Sequence, residues 1–272
     1  MVNQLGIVQG RLTQSPPGKL QWFPQKVWRK EFTIAADVGL RYIEFIAERV
    51  HNPRNPLWSD AGIKHIKAQA KKYQLHTEYL CNDYVIDHSL IKSKDAVEQT
   101  KRLISQGRKL GVRQFILPLL ERSELRQGNA SVYKPILKDL ADCAKHNGMM
   151  LCLETDVSGR GLLRLFAQMK HPNIKAVFDT GNRAALGQDI YSDIVLLGKA
   201  IGHVHIKDKN ECGENVLLGT GLVDFRKAMM SLSKIKYAGA FTFETARGAD
   251  PVRTAQYNRA LIEFFIRDIK GK

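Results

Sequence analysis

The chain has 272 residues, 44% of them hydrophobic and 25% charged, without bias toward Gly, Pro or aromatic residues. This composition excludes a long disordered or low-complexity protein, and no apolar run approaches the ~20 residues of a membrane-spanning helix. A total of 42 Lys and Arg against 27 Asp and Glu gives a formal charge of +15, which favours anionic partners such as sugar phosphates, nucleic acid or anionic lipid.

Short apolar runs recur along the chain, each followed by a longer amphipathic stretch. The first covers residues 5–9, and the Gln9-Gly10-Arg11-Leu12 that ends it is not a GxGxxG dinucleotide fingerprint. Gly39 closes a helix ahead of the second run at 42–47. Ser59 or Asp60 supplies an N-cap for a helix that repeats Ile63, Ile66, Ala70 and Tyr73 at three- and four-residue steps. Lys64, Lys67, Lys71 and Lys72, the densest basic group, have the spacing of that helix's solvated face. A third run is placed at 75–80. Val97, Thr100, Leu103, Ile104 and Leu110 then mark a helix ending at Gly111, before a fourth run at 114–119. Ile136, Leu140, Cys143 and Ala144 mark another, stopped at Asn147-Gly148 before the fifth run at 149–155. The last three runs lie at 174–180, 201–207 and 240–245.

Near-continuous hydrophobicity fits strands buried on both faces of a parallel sheet, and strands alternating with helices imply βα units. Eight such units with no linker or composition break predict an α/β fold of the (β/α)8 TIM barrel type, forming one domain over residues 1–272. An open doubly wound sheet is the rival; it usually carries the glycine-rich turn missing here. Cys81, Cys143, Cys152 and Cys212 form no CxxC pair and are read as reduced thiols. The N-terminus lacks a basic stretch followed by a long apolar core, so a cytoplasmic location is expected. Trp22, Trp28 and Trp58 fall near the predicted rim, where they could line a pocket, cap the barrel or meet a second copy in a homo-oligomer.

The strand ends of the second half read LCLET, AVFDT, HVHIK and FTFET, and each finishes on one metal-binding side chain: Glu154, Asp179, His205 and Glu244. The steps between them are 25, 26 and 39 positions, the first two being one βα unit each. Strand C-termini of a barrel converge on one rim. Three carboxylates converging there would repel unless a cation offset them, and carboxylates with one imidazole suit one Mn2+, Mg2+, Co2+ or Zn2+. Taken singly, each could be a helix cap or salt-bridge partner. His203, two residues before His205, could support the site or be a hydrogen-bonded core residue. Gln9, Arg11, Glu44, Asn182, Lys207 and Arg247 are candidate substrate contacts. Lys207, Lys209 and Arg247 follow strands seven and eight, where barrels often hold phosphate, though each could equally be a solvated rim charge. Gly219-Thr220-Gly221 reads as a structural turn.

In LCLETD, FDTGN, GHVHIKDK with its trailing GTGLVDF, and FTFET, the sequence resembles the xylose isomerase-like superfamily of sugar phosphate isomerases and epimerases. That group includes ketose 3-epimerases, hydroxypyruvate isomerase, inosose dehydratase and metal-dependent apurinic endonucleases. GIVQGRL, GKLQWFP and YIEFIAE extend the resemblance over nearly the whole chain. It implies one divalent ion that polarises a sugar carbonyl, with Glu154 and Glu244 on opposite sides of the substrate carbon exchanging its proton. The substrate is then a small polyhydroxylated or anionic sugar. Two positions depart from the pattern: Asn182 stands where many members have histidine, and Arg160 where the epimerases carry another glutamate. A dehydratase on the same site is the near alternative. An apurinic endonuclease-like phosphodiesterase would need more histidines at other strand ends; neither His51 nor His76 stands in for them, so a nucleic acid partner is not expected.

Overall fold

The apolar runs become strands because nearly every residue in them is buried, from the all-buried β1 (Leu5–Val8) and β2 (Tyr42–Ala47) onward. A computed structural model describes residues 3–270. In it β3 (Tyr79–Asn82), β4 (Gln114–Pro118), β5 (Met150–Glu154), β6 (Ile174–Asp179), β7 (Ile201–Ile206) and β8 (Phe241–Phe243) follow in order. Each strand pairs in parallel with the next, and β8 pairs with β1, which closes the (β/α)8 barrel. The helices form the outer layer: α1 (Lys30–Val38), α2 (Asp60–Tyr73), α3 (Tyr84–Asp87), α4 (Lys94–Leu110), α5 (Ala130–His146), α6 (Gly159–Met169), α7 (Thr180–Ala185), α8 (Ile190–Leu197), α9 (Phe225–Lys234) and α10 (Pro251–Lys270). The short α3 and α7 are additions at the C-terminal mouth. No described helix is long and apolar enough to cross a membrane.

Helix boundaries follow local chemistry. Ser59 caps α2 by accepting the Gly62 N–H at 3.1 Å, and Gly39 and Gly111 end α1 and α4 in the left-handed conformation. Lys64, Lys67, Lys71 and Lys72 lie on the exposed face of α2. All four cysteines are free thiols.

The third strand begins later than the sequence suggests, at Tyr79 rather than residue 75. Leu75 is buried directly after the left-handed Gln74 that ends α2, and its N–H still bonds Ala70. His76 makes only an isolated bridge to Tyr42. Leu75 is therefore apolar because it sits under the helix, and the chain crosses to the sheet before pairing begins. The shift moves the functional end of β3 to Asn82 and Asp83.

The barrel floor is aromatic. Tyr42 stacks near Tyr79 at 4.3 Å between ring centres, and Tyr79 lies 5.0 Å from His203. The loop after β1 is organised by Glu31 of α1, whose buried carboxylate accepts the N–H groups of Gly10 (2.9 Å) and Leu12 (3.2 Å) and the Thr13 hydroxyl. Gly10 has φ +85°, and a Cβ there would lie 1.8 Å from the Trp22 carbonyl oxygen. A side chain at this point would push the loop off the barrel. Gly10→Ala should therefore lower stability by about 2 kcal/mol or more, from strain plus clash, read as a fall in the urea midpoint.

Burial raises the Glu31 carboxyl from its ordinary 4.5 to about 7, despite its three donors. The folded chain thus holds this proton more tightly than the unfolded chain. The contribution is complete below about pH 4.5 and is lost as pH rises through about 7. Glu31→Gln should narrow the stability difference between about pH 5 and pH 8 by roughly 2–3 kcal/mol, measured by urea unfolding at both values.

Candidate active site and metal centre

Four successive strands deliver the four expected side chains to one place. Glu154 ends β5, Asp179 ends β6, His205 is the penultimate residue of β7, and Glu244 directly follows β8. Each offers a ligand atom, and these atoms all lie within 4.8 Å of one another. All four residues are buried, Asp179 and His205 almost completely. His205 Nδ1 is 3.0 Å from Glu244 Oε2 and 3.7 Å from Glu154 Oε2. Beyond one another, Asp179 Oδ2 and Glu244 Oε2 are met only by the Lys207 ammonium, and His205 Nδ1 has no other close partner. Buried carboxylates and an imidazole gathered this closely form a set able to hold a cation. Carboxylate oxygens with one imidazole nitrogen fit a divalent ion of the Mg2+, Mn2+, Co2+ or Zn2+ type.

The remaining charge is arranged around this set. Lys207 Nζ lies 3.0 Å from both Asp179 Oδ2 and Glu244 Oε2. Burial opposes the ammonium charge, but Asp179, Glu244 and Glu154 more than reverse this and hold Lys207 well above its ordinary value. Arg11 NH2 is 3.6 Å from Glu244 Oε1, which also accepts from Gln21 Nε2 at 3.3 Å. Burial would raise both glutamates. It does raise Glu154, whereas Lys207, His205 and Arg11 hold Glu244 low. Asp179 doubles as the cap of α7, accepting the Asn182 N–H at 2.6 Å, and Asn182 Nδ2 donates to Glu154 Oε1 at 3.3 Å. Asn182 thus stands beside the ligands, where the resemblance sets a histidine.

Beneath the ligands lies a fully buried polar network. Glu44 accepts from His205 Nε2 at 3.0 Å and from His203 Nε2 at 2.7 Å, while Tyr42 donates to Thr242 (2.7 Å) and Thr242 to Glu44 (3.0 Å). Burial works against the Glu44 charge, but the two histidines draw its carboxyl down to about 2. A carboxylate on Nε2 fixes the proton there and leaves Nδ1 free toward the ligand centre. Glu44 was expected at the substrate; it lies between the ligands and the aromatic floor, bonded to His205.

Above the ligands opens a cavity of about 1040 Å³. Asn182, Lys207, Glu154 and Glu244 line it, together with Trp22, Arg49, His51, Asp83, Asp156 and Lys209. Three other expected substrate contacts lie elsewhere. Gln9 is buried beside β2, accepting the Ile46 N–H at 3.4 Å. Arg11 spans to the Thr245 carbonyl at 2.8 Å and to Gln21, reaching the site only through Glu244. Arg247 is spent on the Gly10 and Lys19 carbonyls at 2.7 and 3.1 Å, so it braces the first loop. Arg160 is an exposed residue near the start of α6, outside this cavity. Trp22 lines the cavity, whereas Trp28 and Trp58 are core residues. The Gly219-Thr220-Gly221 turn is structural: buried Asp208 accepts the N–H groups of Gly219 and Gly221 at 2.9 Å each.

Asp83, Gln21 and Arg49 escaped the sequence reading. Asp83 was hidden by the misplaced third strand, and the other two sit in irregular loops with no periodic signal. Arg49 bridges Asp87 and Glu121, which follow the adjacent strands β3 and β4.

Glu44→Gln replaces one of the two accepting oxygens by an amide donor, so one of the two imidazole N–H groups loses its acceptor. It should weaken binding of Mn2+ about 10- to 100-fold, measured by calorimetric titration, with the fold retained. Unchanged affinity would remove Glu44's positioning role.

Three comparisons bear on this geometry. The family model described as xylose isomerase-like TIM barrel matches residues 32–267. A ketose 3-epimerase of Arthrobacter globiformis is 31% identical over 114 residues, which is 39% of this chain and 38% of that protein. The chain thus matches well under half the length of this relative. Among solved structures, an L-ribulose 3-epimerase superposes with a TM-score of 0.79 at 19% identity, covering 99% of this chain and 96% of that one. The D-psicose 3-epimerase with D-tagatose from Clostridium cellulolyticum H10 gives 0.77 at 18%, covering 97% and 99%. At such identities the superpositions speak for the fold alone.

Proposed function

The chain belongs to the xylose isomerase-like TIM barrel family, and from that premise we propose that it is a divalent-metal-dependent isomerase or epimerase of a small ketose. The observation that carries this reading is the quartet of buried ligand atoms within 4.8 Å, from four consecutive strand ends, opening directly into a cavity. The partial match to a ketose 3-epimerase supports the substrate class.

Glu154, Asp179, His205 and Glu244 would hold one Mn2+, Mg2+, Co2+ or Zn2+. When bound, such an ion would polarise the sugar carbonyl and acidify the neighbouring C–H. We assign proton removal and return at that carbon to Glu154 and Glu244, since a carboxylate is a competent base once the C–H is acidified. Asn182 steadies Glu154 through Oε1, and Arg11 with Gln21 steadies Glu244 through the same atom of its carboxylate. Those contacts fix where the other oxygen of each points. Lys207 offsets negative charge between Asp179 and Glu244 and can donate to a substrate oxygen from the cavity wall. The four free thiols suit a reducing compartment such as the cytoplasm.

The phosphodiesterase reading finds little support. Among the described residues the second cluster able to hold a metal, Glu44 with His203 and His205, shares His205 and is occupied by its own hydrogen bonds beneath the ligands.

Elemental analysis should find one divalent ion per chain after loading. In deuterated water the loaded protein should exchange a proton next to the carbonyl of a ketose such as D-tagatose or D-allulose, and chelation should abolish the exchange. Glu244→Gln should slow it about 100-fold or more. Two or three ions per chain would favour phosphodiester chemistry, and absence of any ion under replete conditions would sink the reading.

A further inference from the structure

The ion-site ligands all come from β5 to β8, one half of the barrel mouth. Strand β3 lies in the other half, and in an eight-stranded ring it stands across the mouth from β7 and His205. At its C-terminal end is Asp83, which lines the cavity yet is only 2% exposed. One carboxylate oxygen, Oδ1, receives only the Cys81 thiol at 3.3 Å. The other, Oδ2, is buried and has no hydrogen-bond partner among the described residues. Asp83 holds the cap position of α3, but its side chain makes no cap bond. Among the described residues no Lys or Arg forms an ion pair with it, although Lys207 and Arg11 pair with Glu244.

A carboxyl group buried without a donor destabilises the fold unless something supplies one. Among the described residues none does so for Oδ2, and Asp83 borders the cavity. We infer that Asp83 is a specificity-determining residue that binds a hydroxyl of the sugar from the β3 side of the mouth. The inference rests on the ketose reading above and narrows it. A group that seeks a donor favours an uncharged, hydroxyl-bearing carbon at this position. It disfavours a phosphate or carboxylate there, so any anionic group of the substrate would lie toward Lys207 and Lys209 on the opposite wall.

Burial, followed by the charge of Glu244, also pushes the Asp83 carboxyl up to about 7, in keeping with a group that lacks a donor.

The test uses metal-loaded wild type, Asp83→Asn and Asp83→Ala. Proton exchange is followed for D-fructose, D-tagatose, D-allulose and L-ribulose, then for the 4-, 5- and 6-deoxy forms of the sugar handled best. In wild type, one deoxy form should lose about 10-fold or more in kcat/KM, chiefly through KM, since a site built to bind a hydroxyl rejects the analogue lacking it. In Asp83→Ala that particular penalty should vanish while the others persist, and Asp83→Asn should fall between. Melting temperature separates this from a structural role. Removing a donorless buried acid should leave the midpoint unchanged or raised while kcat/KM falls, whereas a residue that holds the fold together would lower it. Identical deoxy penalties in wild type and Asp83→Ala, or a lowered midpoint with unaltered discrimination, would overturn the inference and leave the ketose reading standing. Failure of wild type to exchange any of these sugars would overturn both.

Discussion

Three carboxylates and an imidazole share a space in which no two ligand atoms are more than 4.8 Å apart, and the barrel mouth is arranged around that repulsion. Such a cluster cannot be held by hydrophobic packing, which is indifferent to charge. It is held because each member is fastened at its far side. Asp179 is tied down as the cap of α7, Glu154 by Asn182, Glu244 by Arg11 and Gln21, and His205 by Glu44. The fastening groups are themselves anchored to the scaffold, Arg11 on the Thr245 carbonyl and Glu44 on Thr242 and His203. Positional precision at the site is therefore a property of a shell that extends from the rim down to the aromatic floor.

Much of this was readable from the chain because a parallel barrel converts sequence position into spatial position with little ambiguity. A polar residue that ends an apolar run must appear at the mouth, so Glu154, Asp179, His205 and Glu244 declared themselves. Side-chain direction is less legible. Glu44 and His203 lie within apolar runs, as interior residues do, and only the cross-barrel hydrogen bonds show that they serve His205 rather than substrate. Arg247 sits in a loop after β8 where anion binding is plausible, but its guanidinium meets backbone carbonyls. Asp83 was lost for a different reason: burial under α2 made Leu75 look like the start of a strand, which displaced the expected rim by several residues.

The +15 charge of the whole chain and the acidic character of the site are separate facts. The lysines of α2 face solvent on the outer layer, far in sequence and side from the ligand strands. Inside the mouth the balance is local: Lys207 against Asp179 and Glu244, and Arg49 against Asp87 and Glu121. Lys207 and Arg49 are thus balanced at short range, which leaves Lys19 and Lys209 as the cavity-lining cations without an ion pair among the described residues.

The division of the mouth into two halves has an evolutionary consequence. The strand ends of β5 to β8 carry the four proposed ion ligands, whereas Trp22, Arg49, His51 and Asp83 reach the cavity from loops of the first half. Changes confined to cavity-lining positions of the early loops could alter what the mouth admits while leaving the ligand set in place. Such variation would have to spare Arg11, Gln21 and Glu44, which hold Glu244 and His205 from the first half, so the two halves are tied together beneath the rim and separable only at its surface.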